Sequence, residues 1–189
     1  MSRNMNSYIE KEIKILNIDV KDVQLHLEKL HARPVYVGQR IISTFDYNDG
    51  QCQQQDTLIR LTEERTVKVT IHINNSASGD NRKIIKLHPL ENSIICRDFL
   101  SSLGLQEKTR VVAKRSSYEI GEVDFDIDEF PVIPPFLEID IEKLDVPLEL
   151  LLHDLGLKNS RIVNCGTEEV FRMYGIDYYS AFSVTAVDK

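Results

Sequence analysis

Several common signals are missing from this chain. It has no apolar run near the roughly eighteen residues that a membrane-spanning helix needs. Its opening, MSRNMNS, is too polar and too short for a signal peptide, so a cytoplasmic location with no membrane partner is the expectation. Cysteine is scarce: Cys52, Cys96 and Cys165 lie far apart and form no C-x-x-C pair. That argues against a disulfide framework and against a cysteine-based zinc site, and leaves free thiols in a reducing compartment. The five histidines, His26, His31, His72, His88 and His153, show no ligand spacing and read as surface or capping residues. A Walker-type glycine loop and a serine or cysteine nucleophile motif are also absent. Positive charge is in deficit, with 23 Lys and Arg against 30 Asp and Glu and a net charge of −7. Phosphate backbones are held by basic surface, so nucleic acid is not the expected partner, although a local basic pocket is allowed.

What remains is the composition of an ordinary globular domain, 42% hydrophobic and 28% charged over 189 residues. That length suits one well-buried domain spanning 1–189. Residues 8–15, YIEKEIKI, read as a first strand. Residues 18–32 carry apolar residues at helical spacing behind Asp19, a candidate N-cap. Strands are expected over 36–47, 57–62, 65–73 and 82–88, with loops at 48–56 and 74–81. A second helix fits 91–104 and ends at Gly104. Strands then follow over 107–120, 122–130 and 136–144, and a third helix over 146–156, with Pro147 near its start and Gly156 past its end. A short helical segment behind Thr167 closes the pattern. About eight strands with three or four helices, joined by hairpin-length turns and without β-α-β alternation, predict an antiparallel α+β protein.

The strands share an unusual parity. Side chains alternate faces along a strand, so Glu10, Glu12 and Lys14 point one way and Ile9, Ile13 and Ile15 the other. The same holds for Glu138, Asp140 and Glu142 against Leu137, Ile139 and Ile141. It holds again for Glu122, Asp124, Asp126 and Asp128 against Val123, Phe125 and Ile127. Lys68 alternates with Val67 and Val69, and Arg82 and Lys86 share a face. A sheet with one wet face explains this. So does a barrel turned inside out, with apolar residues outward under helices and charges of both signs lining a tunnel. Such a lining suits a polyphosphate with its cation, because carboxylates bind hard metals and Lys and Arg bind phosphate oxygens.

Glu10-x-Glu12-x-Lys14 resembles the opening signature of the CYTH superfamily, the triphosphate tunnel metalloenzymes. The segment DIDEFPVIPPFLEIDIE (126–142) is similar to the bacterial pattern of an acidic strand, a proline-rich turn and an LEIE-like strand, and VFRMYGID resembles the close of such proteins. The resemblance runs from residue 8 to about 177. It implies an eight-stranded antiparallel β-barrel forming a charged tunnel, with helices packed outside. It also implies a divalent-metal-dependent enzyme, using Mg²⁺ or Mn²⁺, that acts on a triphosphate-containing small molecule such as inorganic triphosphate, thiamine triphosphate or ATP.

Carried onto this chain, the resemblance makes Glu10, Glu12 and Lys14 the catalytic signature. Glu10, Glu12, Glu138, Asp140 and Asp128 become candidate metal ligands or acidic wall residues, and Lys14, Arg60, Lys68, Arg82, Lys86 and Arg115 candidate phosphate ligands. The chain also departs from the pattern. Thr62 stands where a second arginine is usual and Ala113 where a lysine is usual, and the Arg82–Lys86 strand lacks its acids. If Arg115 points inward, Lys114 points away. Triphosphate hydrolysis is the leading expectation. The alternatives are a class IV-type adenylyl cyclase, releasing cyclic AMP and pyrophosphate from ATP, and a catalytically weakened polyphosphate- or nucleotide-binding module. A homodimer is left open.

Overall fold

The computed structural model describes residues 7–8, 12–74, 82–90 and 92–184, with side chains described over 12–73 and 92–184. Glu10 and most of the expected 74–81 loop lie outside the described residues. The chain begins with β1 (Ser7–Tyr8), β2 (Glu12–Leu16), α1 (Val20–Lys29), β3 (Arg33–Asp46), α2 (Gln51–Gln54), β4 (Thr57–Glu63), β5 (Val67–Asn74) and β6 (Arg82–Leu90). It continues with α3 (Ser93–Ser102), β7 (Gln106–Ile120), β8 (Val123–Glu129), β9 (Phe136–Asp140), α4 (Leu148–Asp154), β10 (Arg161–Val163), α5 (Thr167–Met173) and α6 (Tyr178–Ala181). Among the described residues, no helix is long and apolar enough to cross a membrane.

Eight of these strands have five or more residues, as expected. The pairs β1·β6, β6·β5, β5·β4, β4·β3, β7·β8, β8·β9, β9·β2 and β2·β10 are all antiparallel, and β3 neighbours β7. β1 and β10 end the strand order and do not pair with each other, so among the described residues the ladder is open. This differs from the closed barrel expected. Residues 9–11, which join β1 to β2, lie outside the described residues.

The chain divides into two compact units, one of residues 1–10, 40–112 and 178–189, the other of residues 11–39 and 113–177. In the second unit, the odd residues of β2 and β9 (Ile13, Ile15, Leu137, Ile139) and Val123, Phe125 and Ile127 of β8 form an apolar layer. Val23 and Leu27, one turn apart on α1, and Leu151 and Leu152 on α4 cover it. The parity expectation therefore holds here, with the apolar face under the helices and the charged face on the other side. In the first unit, Phe45, Leu61 and Val69 form the apolar face, packed with Cys52 of α2 and Cys96 and Leu100 of α3.

The local signals were largely accurate. Asp19 accepts the Asp22 N–H at 3.0 Å and starts α1. Gly156 follows α4 at φ 72°, where any added Cβ would meet the His26 ring at 3.2 Å, so both conformation and space require glycine. The strand expected to reach residue 144 stops at Asp140, whose carboxylate accepts the Glu142 N–H at 3.0 Å and turns the chain away. Gly166, rather than Thr167, caps α5. None of Cys52, Cys96 and Cys165, all among the described residues, forms a disulfide.

The expected loop at 48–56 contains α2, for a reason not visible in local spacing. Asp46, at the end of β3, accepts N–H bonds from Tyr47 (2.6 Å), Cys52 (2.8 Å) and Gln53 (3.0 Å), satisfying the first donors of that helix from several residues upstream. Burial alone would raise the Asp46 pKa, but these N–H groups outweigh it and hold it below the usual carboxylate value. A carboxylate with a depressed pKa stabilises the fold above its unfolded pKa, and that contribution is lost as the pH falls through the folded value. Asp46→Ala is expected to cost about 1–3 kcal/mol at neutral pH. In urea unfolding measured from pH 7 down to pH 3, the variant should also lose less stability than the wild type.

Candidate functional site

Strand register builds the charged face of the second unit. Lys14 lies opposite Glu138, and Glu138 opposite Asp126, which lies opposite Ser117, so four strands contribute to one row. Arg115 lies opposite Asp128 in the next row, and Glu12 opposite Asp140 on the other side. Nearby in the same unit, Phe130 stacks on Phe136 at 5.8 Å and meets Phe171 of α5 edge-on at 5.2 Å. Phe136 lies opposite Asp128 in the β8·β9 register, and Arg115 and Asp128 are both buried.

Inside the row every cation is held by carboxylates. The Lys14 ammonium, with its side chain only 1% exposed, donates to Glu12 Oε1 at 2.5 Å and lies 3.0 Å from Glu138 Oε2. Burial alone would depress its pKa, but the Glu138 and Glu12 carboxylates outweigh that and push it up to about 12. Arg115 donates to both oxygens of Asp128, from Nε at 2.7 Å and from Nη2 at 2.5 Å. Its Nη1 donates to Asp126 at 2.5 Å, and Nη2 lies 3.5 Å from Glu138. Against its burial, Asp128, Asp126 and Glu138 raise its pKa further above the ordinary arginine value.

Glu138 thus links the two cations, and four carboxylates share two positive charges. Asp126 registers the excess. Its burial raises its pKa, Arg115 opposes this, and Glu138 and Asp128 add to the rise. An excess of negative charge suits a divalent cation, and Glu10, one of the candidate ligands, lies outside the described residues. Among the described residues no three His, Cys, Asp or Glu side chains are grouped to hold a metal ion. The Lys14 ammonium occupies the place between Glu12 and Glu138.

The first unit carries its own polar face. Thr44, Arg60, Thr70 and Lys86 lie opposite one another across β3, β4, β5 and β6, Thr62 opposite Lys68, and Arg82 opposite Asn74. Glu64 receives Lys68 at 2.8 Å and lies 3.6 Å from Arg40 Nε. The buried Thr44 and Thr109 hydroxyls bond each other at 2.6 Å. Arg97, from α3, fastens that helix through Ser43 (3.1 Å) and Glu63 (2.6 Å), with Glu107 at 3.6 Å.

The second unit therefore brings together Glu12, Lys14, Arg115, Asp128 and Glu138, with Asp140 in the row beyond, while Arg60 and Lys68 lie on the polar face of the first unit. Lys114 points away from Arg115 as expected, is more than half exposed, and pairs with Glu129 at 2.8 Å. Asp126, Arg40 and Glu64 were not among the candidate site residues. Parity alone places Asp126 on the face of Asp128. No local spacing reveals the contacts of Glu64 with Lys68 and Arg40, because a turn and a strand pairing create them.

No protein-family model and no curated protein matches the sequence. The architecture is that of an antiparallel sheet with helices on its apolar side, and solved structures share this fold. A proposed adenylate cyclase from Vibrio parahaemolyticus matches at TM-score 0.62 and 14% identity, over 94% of this chain and 93% of that one. A proposed adenylate cyclase from Bacillus halodurans matches at 0.58 and 15%, over 88% and 99%. HpAC1 of Hippeastrum, a proposed adenylyl cyclase described as having a dominant triphosphatase activity, matches at 0.58 and 13%, over 87% and 96%. The antiparallel sheet with helices packed outside is the one that the CYTH resemblance implies, open among the described residues where the resemblance implies a closed barrel.

Removing one partner from a buried ion pair leaves the other uncompensated. Arg115→Met should therefore destabilise the protein by about 3–5 kcal/mol, and adding Asp128→Leu should recover part of that in urea unfolding. Lys14 gives an alkaline signature: because its folded pKa exceeds the ordinary 10.5, its contribution is complete below pH 10.5 and is lost as the pH rises through about 12. Lys14→Met should flatten the loss of stability measured between pH 10 and pH 12.

Proposed function

We propose that this protein is an enzyme that binds a triphosphate-containing small molecule and hydrolyses it at the terminal phosphate. The observation that carries the reading is the buried charged row of the second unit, where Lys14 and Arg115 lie among four carboxylates on the sheet face opposite the helices. A sheet rarely buries this many charges merely to be stable, because a buried ion pair seldom outperforms an apolar one. The dominant triphosphatase activity named for the Hippeastrum structure points the same way, whereas the Vibrio and Bacillus structures are named as proposed adenylate cyclases.

Phosphoryl transfer needs positioning and charge neutralisation more than a covalent nucleophile. In this proposal Lys14 and Arg115 of the second unit bind phosphate oxygens; Arg60, Lys68, Arg82 and Lys86, phosphate ligands that the family resemblance implies, are separate candidates on the first unit. Each paired cation would exchange a carboxylate for a phosphate oxygen, and the freed carboxylate would leave a net negative charge behind. Mg²⁺ or Mn²⁺ is proposed as the companion of the polyphosphate. Glu10, Glu12, Glu138 and Asp140 are its candidate ligands, and Asp128, with both oxygens on Arg115, is the least suited.

A second reading, a polyphosphate-binding module with little turnover, is favoured by Thr62 and Ala113 at positions where the resemblance calls for cations. Among the described residues, Lys14, Lys68 and Arg115 are also paired within the protein.

One panel separates these readings. Purified protein with Mg²⁺ or Mn²⁺ is incubated with inorganic triphosphate, thiamine triphosphate and ATP, and phosphate, pyrophosphate and cyclic AMP are scored separately. Phosphate release is expected, with Glu12→Gln lowering the rate by about 100-fold or more, an effect of the size seen when a key electrostatic group is removed. Cyclic AMP with pyrophosphate would instead indicate the cyclase reaction. Tight binding without product would leave the binding module.

A further inference from the structure

Helix α3 is apolar on two sides, and the core of the first unit uses one of them. Cys96 and Leu100, one turn apart, pack into that core, and Arg97 ties the helix to Ser43 and Glu63. On another side Ile95, Phe99 and Leu103, again one turn apart, form a second stripe that is 65%, 56% and 52% exposed, and the neighbouring Ile94 is 65% exposed. We propose that this stripe is a dimer interface, which receives the same stripe of a second copy of this chain in an antiparallel helix pair. The inference does not rest on the triphosphate reading and lies wholly within the first unit.

The first argument is what the helix presents to water. A surface helix turns polar residues outward, and single exposed apolar residues are ordinary, whereas a contiguous group of them marks an interaction site. The group is also rigidly held. Asn92 accepts the Ile94 N–H at 2.8 Å at one end, and Gly104 at φ 84° closes the other. A face fixed in this way loses little freedom on binding.

Area is the second argument. At about 150–250 Å² for a large side chain, Ile94, Ile95, Phe99 and Leu103 leave roughly 350–600 Å² uncovered. A standard interface buries about 800 Å² on each partner, and an apolar share of about 65% makes that roughly 500 Å². The exposed Ser101 and Ser102 beside the stripe supply polar rim.

The third argument decides the partner. Phe99 is the centre of the stripe, with an aliphatic residue one turn away on either side. Antiparallel packing about a two-fold axis therefore sets Phe99 beside Phe99 of the second copy and Ile95 against Leu103 of the second copy, apolar on apolar throughout. The charged residues of α3 are Arg97, which is spent on the sheet, and Asp98. Asp98 lies about 100° around the helix from Phe99 and falls on the rim, where charge is tolerated. An anionic lipid surface or a nucleic acid would call for Lys or Arg around the stripe, and a chain of net charge −7 is poorly suited to either.

The test is the mass of the full chain by sedimentation equilibrium over a hundredfold range of concentration. The wild type is expected to pass from 21.8 kDa toward twice that mass as the concentration rises. Phe99→Glu sets like charges across the two-fold axis and should weaken association tenfold or more, with a thermal melt showing that the chain stays folded. Ile95→Lys and Leu103→Glu should each weaken it as well. Within one helix these two positions are about 12 Å apart, but between copies they face each other. The double variant should therefore associate at least threefold more tightly than either single one, and this comparison serves if Phe99→Glu fails to fold. A wild type that is monomeric at every concentration overturns the proposal, and its sedimentation with phosphatidylcholine vesicles would then give the face to lipid. A dimer that the variants leave unchanged also overturns it, as do single losses that the double variant does not recover.

Discussion

A buried charge must be paired, and Arg115 is where that constraint is met most fully. Its guanidinium offers donors in a rigid plane. It spends two on Asp128, one on Asp126 and a longer one toward Glu138. Lysine could not replace it, because a compact ammonium cannot bridge Asp128 in a bidentate way and reach Asp126 as well. Glu138 passes the constraint on to Lys14, which in turn holds Glu12. Four strands of the second unit are thereby locked in register by charge as well as by backbone bonds.

The same arrangement carries a chemical consequence. Two cations among four carboxylates form a network that is satisfied internally but keeps an excess of negative charge, registered in the raised pKa of Asp126. Such a network is expensive to maintain for stability alone, since apolar replacements of similar shape often do as well or better. Its pairs can be exchanged for pairs with an incoming polyanion and its counter-ion, with little net change in the number of ion pairs. On the polar face of the first unit, Glu64 stands to Lys68 and Arg40 as Glu138 stands to Lys14 and Arg115.

The two faces of each sheet serve different ends. Apolar parity brings α1 and α4 onto the second unit, and α3 and α2 onto the first, through Val23, Leu27, Cys96 and Cys52. That packing leaves the other face free of the core. Threonines fill much of the space between the charges in the first unit, at Thr44, Thr62, Thr70 and Thr109. They are β-branched enough for strands and polar enough to bond one another where burial is nearly complete.

The fold class was legible from period alone. Alternation with period two in YIEKEIKI, VDFDIDE and FLEID assigns both the strands and their two faces, because a pleated strand leaves a side chain no other choice of direction. Asp19 and Gly156 marked helix ends by chemistry that acts within a few residues. Glu12, Lys14, Arg115, Asp128 and Glu138 could likewise be assigned to charged faces and, through the family resemblance, named as candidates. The sequence did not determine which carboxylate meets which cation. Arg115 reaches Asp128 through a hairpin and Glu138 through a third strand, and Lys14 reaches Glu138 across β2·β9, more than a hundred residues away in the chain. Nor could it reveal that Asp46 caps a helix inside an expected loop, or that Thr44 and Thr109 meet. Those contacts arise from strand register and burial, which are set by the packing of the whole sheet and not by any local run of residues.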